Sequence, residues 1–526
     1  MSIIIIGAGL AGLSAALTLA EQGVACNLVS AQASERAQSV MAEGGINACL
    51  DTMGENDSIE NHFEDTMCGG VYLADPNAVW GLCQNAPEIV KKFYELGVPF
   101  PVNEKGIVQR SFGGQRKKRT AFVKSSTGKM LMTALIDEVR KYEARGLVTR
   151  FAHHRVKALH IHENVCFGVT LTDTYTDDSI PLTGSVILAF GGMNGLFEGM
   201  TTGTTQNSAD ISALCLENGV ELANLEFIQY HPTTIGISGK RLLISEAARG
   251  EGGRLFIEQN GKPWYFMEEK YPEMKNLMPR DVVSAEMVAV VNMPDCGGQV
   301  YLDMTGIGVD VWKTRLSDLR EQIMHYLDID PVKKPVPVSP GIHYFMGGIW
   351  VDESHRTSVR NLYAAGECAC QYHGANRLGG NSLLGAVYGG KTAARTVLSE
   401  YKKTENPEPV SESPEAYTEV TPQFRVSVSQ ILAKHLTILR NENDLKKALR
   451  ELDLLEERAV NPAETRLLRL AQATVGCALF RRESRGSHRR TDYPEIRSDF
   501  QKQTVVRFKE IFYRDIPELR SHETEN

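Results

Sequence analysis

Three glycines near the start of the chain have the spacing Gly-x-Gly-x-x-Gly. They are Gly7, Gly9 and Gly12, and they follow the apolar run Ile3 to Ile6 and precede residues with helical apolar spacing. The first glycine permits a tight turn, the second lets backbone approach a pyrophosphate, and the third lets helix and strand pack closely. The helix N-terminus would supply amide donors and a favourable dipole to phosphate. The pattern predicts a nucleotide site, without choosing between FAD and NAD.

A second group of residues has the chemistry to bind carboxylates. Arginine makes planar, bidentate contacts to a carboxylate, and histidine adds directed N–H donors. Arg377, His343 and His231 offer this combination, each in a loop flanked by glycine or proline. A lone histidine or arginine is more often structural, so the expectation depends on the three coming together. Together they would suit a small substrate with two carboxylates.

The composition narrows the class of protein. The chain has 526 residues, enough for two to four structural units, with an ordinary globular balance of 42% apolar and 23% charged residues. Its net charge of -8 argues against nucleic-acid binding. Ten cysteines are too sparse for a disulfide scaffold, and no apolar stretch approaches the roughly 20 residues of a membrane span. No targeting signal is recognised, so we expect a cytoplasmic protein.

The elements that position these residues predict an α/β fold. Ile3 to Ile6 and Val24 to Val29 predict buried strands around a helix that ends near Gly23. Further strands end in glycine turns at Val186 to Phe190 and at Asn361 to Gly366. One nucleotide fold is therefore assembled from distant segments, with an insertion of about a hundred residues, within the usual domain size.

The C-terminal part has a different character. Pro407, Pro409 and Pro414 lie in a polar stretch that we interpret as a linker. Apolar residues then recur at helical spacing. Asn461 and Glu464 predict a capped helix start, with proline between them suited to the first turn. This region is predicted to be helical.

Eight separated motifs occur in one order along the chain. They are Ala42-Glu43-Gly44-Gly45, Phe112-Gly113-Gly114, Gln229-Tyr230-His231-Pro232-Thr233, Arg249-Gly250-Glu251-Gly252-Gly253, Pro279-Arg280-Asp281, His343-Tyr344-Phe345-Met346-Gly347-Gly348, Gly366-Glu367-Cys368 and His373-Gly374-Ala375-Asn376-Arg377-Leu378, followed by Glu483-Ser484-Arg485-Gly486. This order resembles the flavoprotein subunit of the fumarate reductase and succinate dehydrogenase family, which also contains L-aspartate oxidase. The resemblance runs from Ser2 to about Pro494.

The resemblance implies an α/β fold of three parts. These are a Rossmann-like FAD-binding domain, an inserted α+β capping domain and a C-terminal helical domain. The implied boundaries are 1–233 and 344–405 for the two FAD-binding segments, 234–343 for the capping domain, and 415–526 for the helical domain and tail.

The resemblance also implies a bound FAD and the residues around it. Gly7, Gly9 and Gly12 would face the pyrophosphate, Glu367 would hold the ribose, and Asp210 would contact the flavin. The acid expected after the second strand is absent, and Ser30 stands near that place. The implied cofactor set is Gly7, Gly9, Gly12, Ser30, Gln38, Glu43, Gly44, Gly45, Asp210, Glu367, Asn381, Ser382 and Leu383.

By the same resemblance, Arg280 would donate a proton to a substrate carbon, with Glu246 and Arg249 as its relay. Arginine is a surprising acid because its pKa exceeds 12, so neighbouring positive charge and a relay would be needed. The implied substrate-binding residues are His231, His343, Arg377, Phe112 and Ser245, the last replacing the family's usual threonine. We therefore predict reduction of fumarate to succinate, or of a close C4 dicarboxylate, by hydride transfer from the flavin.

Three positions differ between branches of the family. Gln38 stands where respiratory members attach FAD to a histidine, so we expect noncovalent FAD. Phe112 replaces the glutamate of L-aspartate oxidase, which disfavours an ammonium-bearing substrate. Glu43 matches fumarate-reducing members, whereas succinate-oxidising members tend to carry glutamine. A negative charge there would lower the flavin potential and favour fumarate reduction.

Several features leave alternatives open. The chain could be an L-aspartate oxidase, a reductase of another unsaturated carboxylic acid, or a flavin-binding scaffold without turnover. No cysteine spacing suits an iron–sulfur cluster, so a cluster would belong to a partner electron-transfer subunit, through which the protein could lie at a membrane surface. No metal is expected, and His153, His154, His160 and His162 are interpreted as surface residues. The basic run Arg116 to Arg119 is either a funnel for dianions or a solvated loop.

Overall fold

The protein is described here as a computed structural model that covers residues 2–237, 239–401 and 417–520. The predicted proline-containing linker lies outside these residues, as do the predicted boundaries at 405, 415 and 526. The α-helices of the described residues are α1 Leu10–Glu21, α2 Ile59–Gly69, α3 Pro76–Glu95, α4 Thr127–Glu143, α5 Asp210–Glu217, α6 Ala247–Gly250, α7 Phe266–Lys270, α8 Arg280–Val291, α9 Val309–Thr314, α10 Ser317–Leu327, α11 Asn381–Tyr401, α12 Pro422–His435, α13 Glu442–Glu456 and α14 Pro462–Phe480.

A seven-stranded sheet forms the centre of the nucleotide-binding part. Its spatial order is Val148–Ala152, Cys26–Ser30, Ser2–Ile6, Ser179–Leu188, Val165–Asp173 and His154–His162, with Leu362–Ala364 also paired to Ser179–Leu188. The pairs around Ser2–Ile6 and the pair with Leu362–Ala364 are parallel, whereas the last two strands run antiparallel. The predicted assembly of one sheet from distant segments is confirmed.

The first strand is buried on both faces, as its β-branched run predicted. Ile3 and Ile5 belong to one core with α1, α4 and α11, while Ile4 and Ile6 belong to the core on the opposite face. All four isoleucines are at most 3% exposed. Burial of an isoleucine side chain stabilises the fold by roughly 1.5–3 kcal/mol, so this short strand anchors both layers and fixes the glycine turn that follows.

A six-stranded antiparallel sheet lies in the segment predicted to form the capping domain. Its order is Lys240–Leu243, Ile228–Ile237, Val336–Phe345, Cys296–Asp303, Arg254–Gln259 and Lys262–Trp264. The helices α6 to α10 belong to the same segment. The predicted boundaries 233/234 and 343/344 fall inside the two longest strands of this sheet, so these strands connect the two parts. The domain limits stay predictions.

The C-terminal part contains α12, α13 and α14 and then a β-hairpin. The Asn461 side chain accepts a hydrogen bond from the Glu464 amide at 3.1 Å, which is the predicted cap. The sequence analysis predicted helix here and did not predict the hairpin of Lys502–Arg507 and Glu510–Asp515. The hairpin pairs with Leu222–Ala223 and so joins a five-stranded sheet. None of the helices that the structure describes is long and apolar enough to cross a bilayer.

Candidate functional site

A cavity of about 650 Å³ opens at the carboxyl ends of the parallel strands. This edge is where open α/β sheets bind nucleotides. Its walls include the ends of the first two strands, the start of α1, and residues of α5, α10, α11 and α12. The predicted site residues that line it are Gly7, Gly9, Ser30, Gln38, Glu43, Asp210, His343, Glu367, Ser382 and Leu383.

The glycine turn has the geometry that its spacing predicted. Gly7 has φ +116°, and a Cβ added there would lie 2.1 Å from the Ala189 carbonyl oxygen. Gly9 lines the cavity immediately before α1. Gly12 does not line it, because it packs against Gly7, whose carbonyl oxygen would lie 1.8 Å from an added Cβ. Backbone amides at Gly9 therefore face the cavity, while Gly12 serves helix packing.

The cavity wall also carries polar groups suited to a ribose. Glu367 is buried, its Oε1 accepts a hydrogen bond from the Phe345 amide at 3.1 Å, and burial raises the pKa of its carboxyl to about 7. The Ser30 hydroxyl is buried without a partner among the described residues. Asp210 begins α5 and pairs with Arg425 at 3.0 Å. The unmet hydroxyl and the cavity-facing carboxyl fit the sugar of FAD.

The segment from Gln38 to Gly45 forms another wall. The Gln38 Oε1 accepts a hydrogen bond from the Thr204 amide at 2.7 Å. Burial raises the pKa of the Glu43 carboxyl to about 8, although the Gln322 side chain on α10 opposes the shift. The sequence analysis treated Glu43 as a fixed negative charge, but with this pKa it is largely protonated at neutral pH.

Three more predicted cofactor positions, Gly44, Gly45 and Asn381, do not line the cavity. An added Cβ at Gly44 would lie 2.7 Å from the Phe112 ring, so this glycine allows the phenyl ring to approach the backbone. Gly45 packs on the strand Thr120–Ala121. Asn381 also points away from the cavity, and its Nδ2 donates to Thr66 Oγ1 at 3.0 Å. Only its neighbours Ser382 and Leu383 line the cavity.

Arg280, Glu246 and Arg249 form one buried ion-paired chain. Glu246 Oε2 accepts from Arg280 Nη2 at 2.7 Å, and Glu246 Oε1 accepts from Arg249 Nη2 at 3.0 Å. Burial alone would raise the pKa of Glu246, but the three nearby guanidiniums, including Arg377, outweigh it and lower the pKa to about 2. Glu246 is thus ionised at neutral pH, and the structure brings the predicted relay into direct contact.

Arg377 lies on the other side of this chain. Its side chain is 2% exposed, and its Nε has no hydrogen-bond partner among the described residues. Its Cζ lies 4.4 Å from the centre of the Tyr344 ring. Burial, together with Arg280, lowers the pKa of Arg377 to about 9. A buried guanidinium with an unused donor is costly unless an anion binds it.

His231 and His343 face each other, with ring centroids 5.2 Å apart. The Thr233 amide donates to His231 Nδ1 at 3.3 Å, and a backbone amide only donates, so Nε2 carries the proton of neutral His231. Burial and nearby Arg280 hold the pKa values of both histidines well below the usual range. Both rings are therefore neutral donors, and His343 lies on the cavity wall.

The predicted substrate-binding residues Ser245 and Phe112 also lie at this cluster, together with the neighbouring Gly379. Ser245 is 3% exposed and directly precedes Glu246. Phe112 is 3% exposed and lies against Gly379, where an added Cβ would be 3.1 Å from the ring and 3.0 Å from Glu246 Oε2. The phenyl ring therefore gives this side of the cluster an apolar surface.

Two residues that the sequence analysis did not single out contact the cluster. The Thr202 hydroxyl lies 2.8 Å from His343 Nδ1. Gln229 is fully buried, and its Oε1 accepts hydrogen bonds from both Arg280 and Arg377. Gln229 stands two residues before His231 in the same motif, which is the signal that could have identified it.

The basic run Arg116 to Arg119 is neither a fully solvated loop nor part of the cavity lining. Arg119 is fully buried between Asp57 and Asp65, at 2.9 and 2.8 Å. Arg116 pairs with Asp65, and the two lysines of the run contact Glu55. These cations contact oxygen atoms of the segment 55–65 and do not line the cavity. Arg119 is therefore a core residue, Arg116 and Lys118 stay about half-exposed, and the funnel stays a prediction.

Among the residues that the structure describes, the cysteines and the remaining histidines form neither a disulfide nor a metal site. All ten cysteines are free thiols, as their sparse spacing indicated. Within the described ranges, no group of three or more histidine, cysteine or acidic side chains is placed to hold a metal ion.

The chain is similar in sequence and structure to known flavoproteins. A model of the FAD binding domain matches residues 2–383, and a model of the fumarate reductase flavoprotein C-terminal region matches residues 463–517. The succinate dehydrogenase flavoprotein subunit of Bacillus subtilis is 36% identical over 95% of this chain and 92% of its own. The L-aspartate oxidase of Pyrococcus furiosus is 35% identical over 96% and 99% of the two chains. A mutant of E. coli quinol fumarate reductase FrdA has a similar structure, with TM-score 0.87, 26% identity and coverage of 100% and 98%.

Proposed function

Because the chain belongs to the flavoprotein family of fumarate reductases and succinate dehydrogenases, we propose that it reduces fumarate, or a close C4 dicarboxylate, to the saturated acid. FAD is the cofactor of this family, and when bound and reduced it supplies the hydride for such a reduction. The remaining tasks are to bind two carboxylates and to deliver a proton. These tasks fall to side chains of this chain.

The excess of positive charge around Glu246 is the observation that carries this proposal. Arg280, Arg249 and Arg377 surround Glu246, and the two histidines are neutral, so the three cations exceed this carboxylate by two charges. The carboxyl of Glu367, whose pKa is about 7, offsets part of this excess at Arg377. Buried charges are costly without partners. A dianionic substrate would compensate more of this excess positive charge than a monoanion would.

The donors of the cluster suit two carboxylates held at a fixed distance. Arg377 has a free Nε for one of them, and Arg forms planar contacts with carboxylates. His231 offers Nε2–H for the other, next to His343. Hydrogen bonds to both carboxylates would draw electron density from the double bond between them and favour hydride addition.

We propose Arg280 as the proton donor. One edge of its guanidinium donates to Glu246, which in turn contacts Arg249, so a proton lost to substrate would be replaced through that carboxylate. The Nη1 of Arg249 donates to the Asn276 carbonyl at 2.5 Å. A relay of this kind lets arginine act as a general acid although its ordinary pKa exceeds 12.

Phe112 supports a dicarboxylate over an amino acid. Its buried phenyl ring lies beside Gly44 and Gly379, where it offers no charge to a substrate ammonium. An ammonium placed there would be desolvated without a partner, which costs several kcal/mol. L-Aspartate oxidase, the activity of the Pyrococcus furiosus relative, is therefore the second candidate.

We propose that FAD binds noncovalently. Glutamine cannot form the histidyl bond, and Gln38 already accepts a hydrogen bond from the Thr204 amide at the cavity wall. Precipitation of the purified protein with acid should release a yellow supernatant and leave a colourless pellet. A yellow pellet after repeated washing would contradict the proposal.

We also propose that an iron–sulfur protein is the electron donor. The names of several relatives describe them as subunits, and no cysteine spacing in this chain suits a cluster of its own. Such a partner would place the chain in the cytoplasm or at the membrane surface. Isolation of the native complex, followed by iron and sulfide analysis, tests this point.

The deciding experiment supplies electrons artificially. Purified protein with reduced viologen is given fumarate and a panel of other unsaturated mono- and dicarboxylic acids. We expect turnover with fumarate or a close dicarboxylate and weak turnover with monoacids. Hydrogen peroxide release from L-aspartate would favour the second candidate, and absence of turnover with every acid would favour a scaffold without its own activity.

A further inference from the structure

Gln229 contacts both arginines of the cluster through a single oxygen. Its Oε1 accepts from Arg280 Nη1 at 3.0 Å and from Arg377 Nη2 at 2.9 Å. Its Nε2 donates to Asn376 Oδ1 at 2.9 Å and to the Arg377 carbonyl at 2.8 Å. The side chain is 0% exposed. All four hydrogen-bonding positions of the amide are therefore used.

These partners fix the orientation of the amide. The Arg377 carbonyl only accepts hydrogen bonds, so the nitrogen of Gln229 has to face it. The two guanidiniums only donate, so the oxygen has to face them. A flipped amide would place N–H groups against cations and oxygen against oxygen, and the network excludes it. The orientation follows from the chemistry of the partners and needs no observed hydrogen atoms.

From this geometry we infer that Gln229 is a positioning residue that joins the proton donor Arg280 to the substrate-binding Arg377 without neutralising either. The inference rests on the proposed function. Two guanidiniums side by side repel each other, and an acceptor between them offsets that repulsion. A carboxylate would bind them more strongly, but it would also remove one of the two positive charges that a dianion requires. A neutral amide keeps both the spacing and the charge.

Gln229 accepts hydrogen bonds from both arginines, and it is neutral. Two variants, each changing one of these properties, should therefore have different kinetic effects. Gln229→Glu keeps the acceptor toward the two arginines and adds a negative charge, so it should raise the KM for fumarate and the Kd for succinate about 10-fold or more, with a smaller change in kcat. Gln229→Met keeps the size and neutrality but removes the acceptor. It should lower kcat about 10-fold or more with a smaller change in KM, because Arg280 loses its second anchor. Both variants lose the donor to the Arg377 carbonyl, so this loss does not distinguish them.

The control residue lies on another strand of the same six-stranded sheet. Gln299 donates only to the Val300 and Val338 carbonyls, away from the cluster, so Gln299→Glu reports the general effect of a charged substitution in this sheet. Each variant is purified with FAD and compared by its flavin absorption spectrum and melting temperature. Succinate affinity is measured by titration of the oxidised protein, independently of turnover.

Wild-type turnover of fumarate, or of another dicarboxylate from the panel, is established first with the same preparations. The inference is supported if Gln229→Glu mainly raises KM and Gln229→Met mainly lowers kcat, while Gln299→Glu stays near wild type. Unchanged KM and succinate Kd in Gln229→Glu would overturn it while the proposed function stands. Equal losses in both variants, including loss of FAD, would show a purely structural role and overturn it too. A wild-type protein that neither binds succinate nor reduces any acid would instead refute the proposed function, and the inference with it.

Discussion

Arg280 donates two hydrogen bonds to the same oxygen of Glu246, from Nε at 3.1 Å and from Nη2 at 2.7 Å. Its remaining nitrogen, Nη1, binds Gln229 at 3.0 Å. The guanidinium is thus held on two sides by the protein, at the first residue of α8. Because the plane of the group is fixed by these contacts, the position of each N–H toward the substrate is fixed as well.

Arg280→Lys should abolish most fumarate reduction while leaving FAD and dicarboxylate binding in place. A lysine keeps the positive charge, but one ammonium cannot reproduce a planar group bound at three nitrogens. Loss of a general acid typically costs about 10²–10⁴ in rate. The test is the viologen-linked rate together with succinate titration. Arg254→Lys, at a half-exposed pair with Glu268, is the matched control. A rate within a few-fold of wild type would exclude Arg280 as the proton donor.

Much of the nucleotide-binding part could be predicted because its signals are local. The isoleucine run specified a strand buried on both faces, and the close contact between Gly12 and Gly7 requires glycine at its position. These predictions depended on residue type at a single position or within one short segment. The matched motifs also named Arg280 and Glu246 together, and the two side chains are in contact although 34 residues separate them.

Other features could not be predicted because they arise from distant pairings. Arg119 looked like part of a charged surface run, yet it is buried by acids about 60 residues earlier in the chain. Gln229 has its role only because it meets Arg377, 148 residues later. The C-terminal hairpin forms because Leu222–Ala223 offers it a strand to pair with. No local pattern reports such partners.

The buried charges at the end of α14 should be important for stability. Arg481 is fully buried and pairs with Glu226 at 2.7 Å and with Glu483 at 2.9 Å. It also donates to the Lys502 carbonyl at 2.7 Å, so it connects α14 to the hairpin. Glu226 lies three residues before Gln229, which links this network to the strand that carries the cluster.

Arg481→Met should lower the free energy of unfolding by about 3–5 kcal/mol, because it leaves Glu226 buried without its cation, whereas Glu483 keeps its pair with Arg485. Urea unfolding, followed by fluorescence, measures the loss. Arg469→Met provides the comparison, since Arg469 lies on the same helix but is half-exposed and 3.9 Å from Glu217. That surface pair should contribute less than about 1 kcal/mol. Similar losses in the two variants would contradict the assignment of Arg481 as a buried anchor.

Glu43 should make the stability of the FAD-free protein depend on pH. Its pKa is about 8 in the folded protein and 4.5 when unperturbed. Since the folded pKa is the higher one, the stabilising contribution is fully present below pH 4.5 and is lost as pH rises toward 8. The slope in this window is about 1.4 kcal/mol per pH unit. Glu43→Gln should remove this component from unfolding curves recorded between pH 5 and 9, and an unchanged pH profile would show that Glu43 ionises freely.

The same protonation should control the direction of electron flow. Below pH 8 the Glu43 carboxyl is mostly protonated. The Glu43→Gln substitution should then change the flavin potential little, because a protonated glutamate and a glutamine are both neutral and similar in size. Above pH 8 the wild-type carboxylate would be ionised on the cavity wall, where a negative charge disfavours the electron-rich reduced flavin and lowers its potential. A lower potential favours electron transfer to fumarate over removal of electrons from succinate.

We therefore expect the flavin midpoint potentials of wild type and Glu43→Gln to agree at pH 6 and to separate at pH 9, with the wild type lower. The ratio of fumarate reduction to succinate oxidation should rise with pH in the wild type more than in the variant. Glu163→Gln, at an exposed turn, controls for the change in net charge. A difference in potential that is equally large at both pH values would mean that Glu43 is a fixed charge beside the flavin, as its position in the sequence alone suggested.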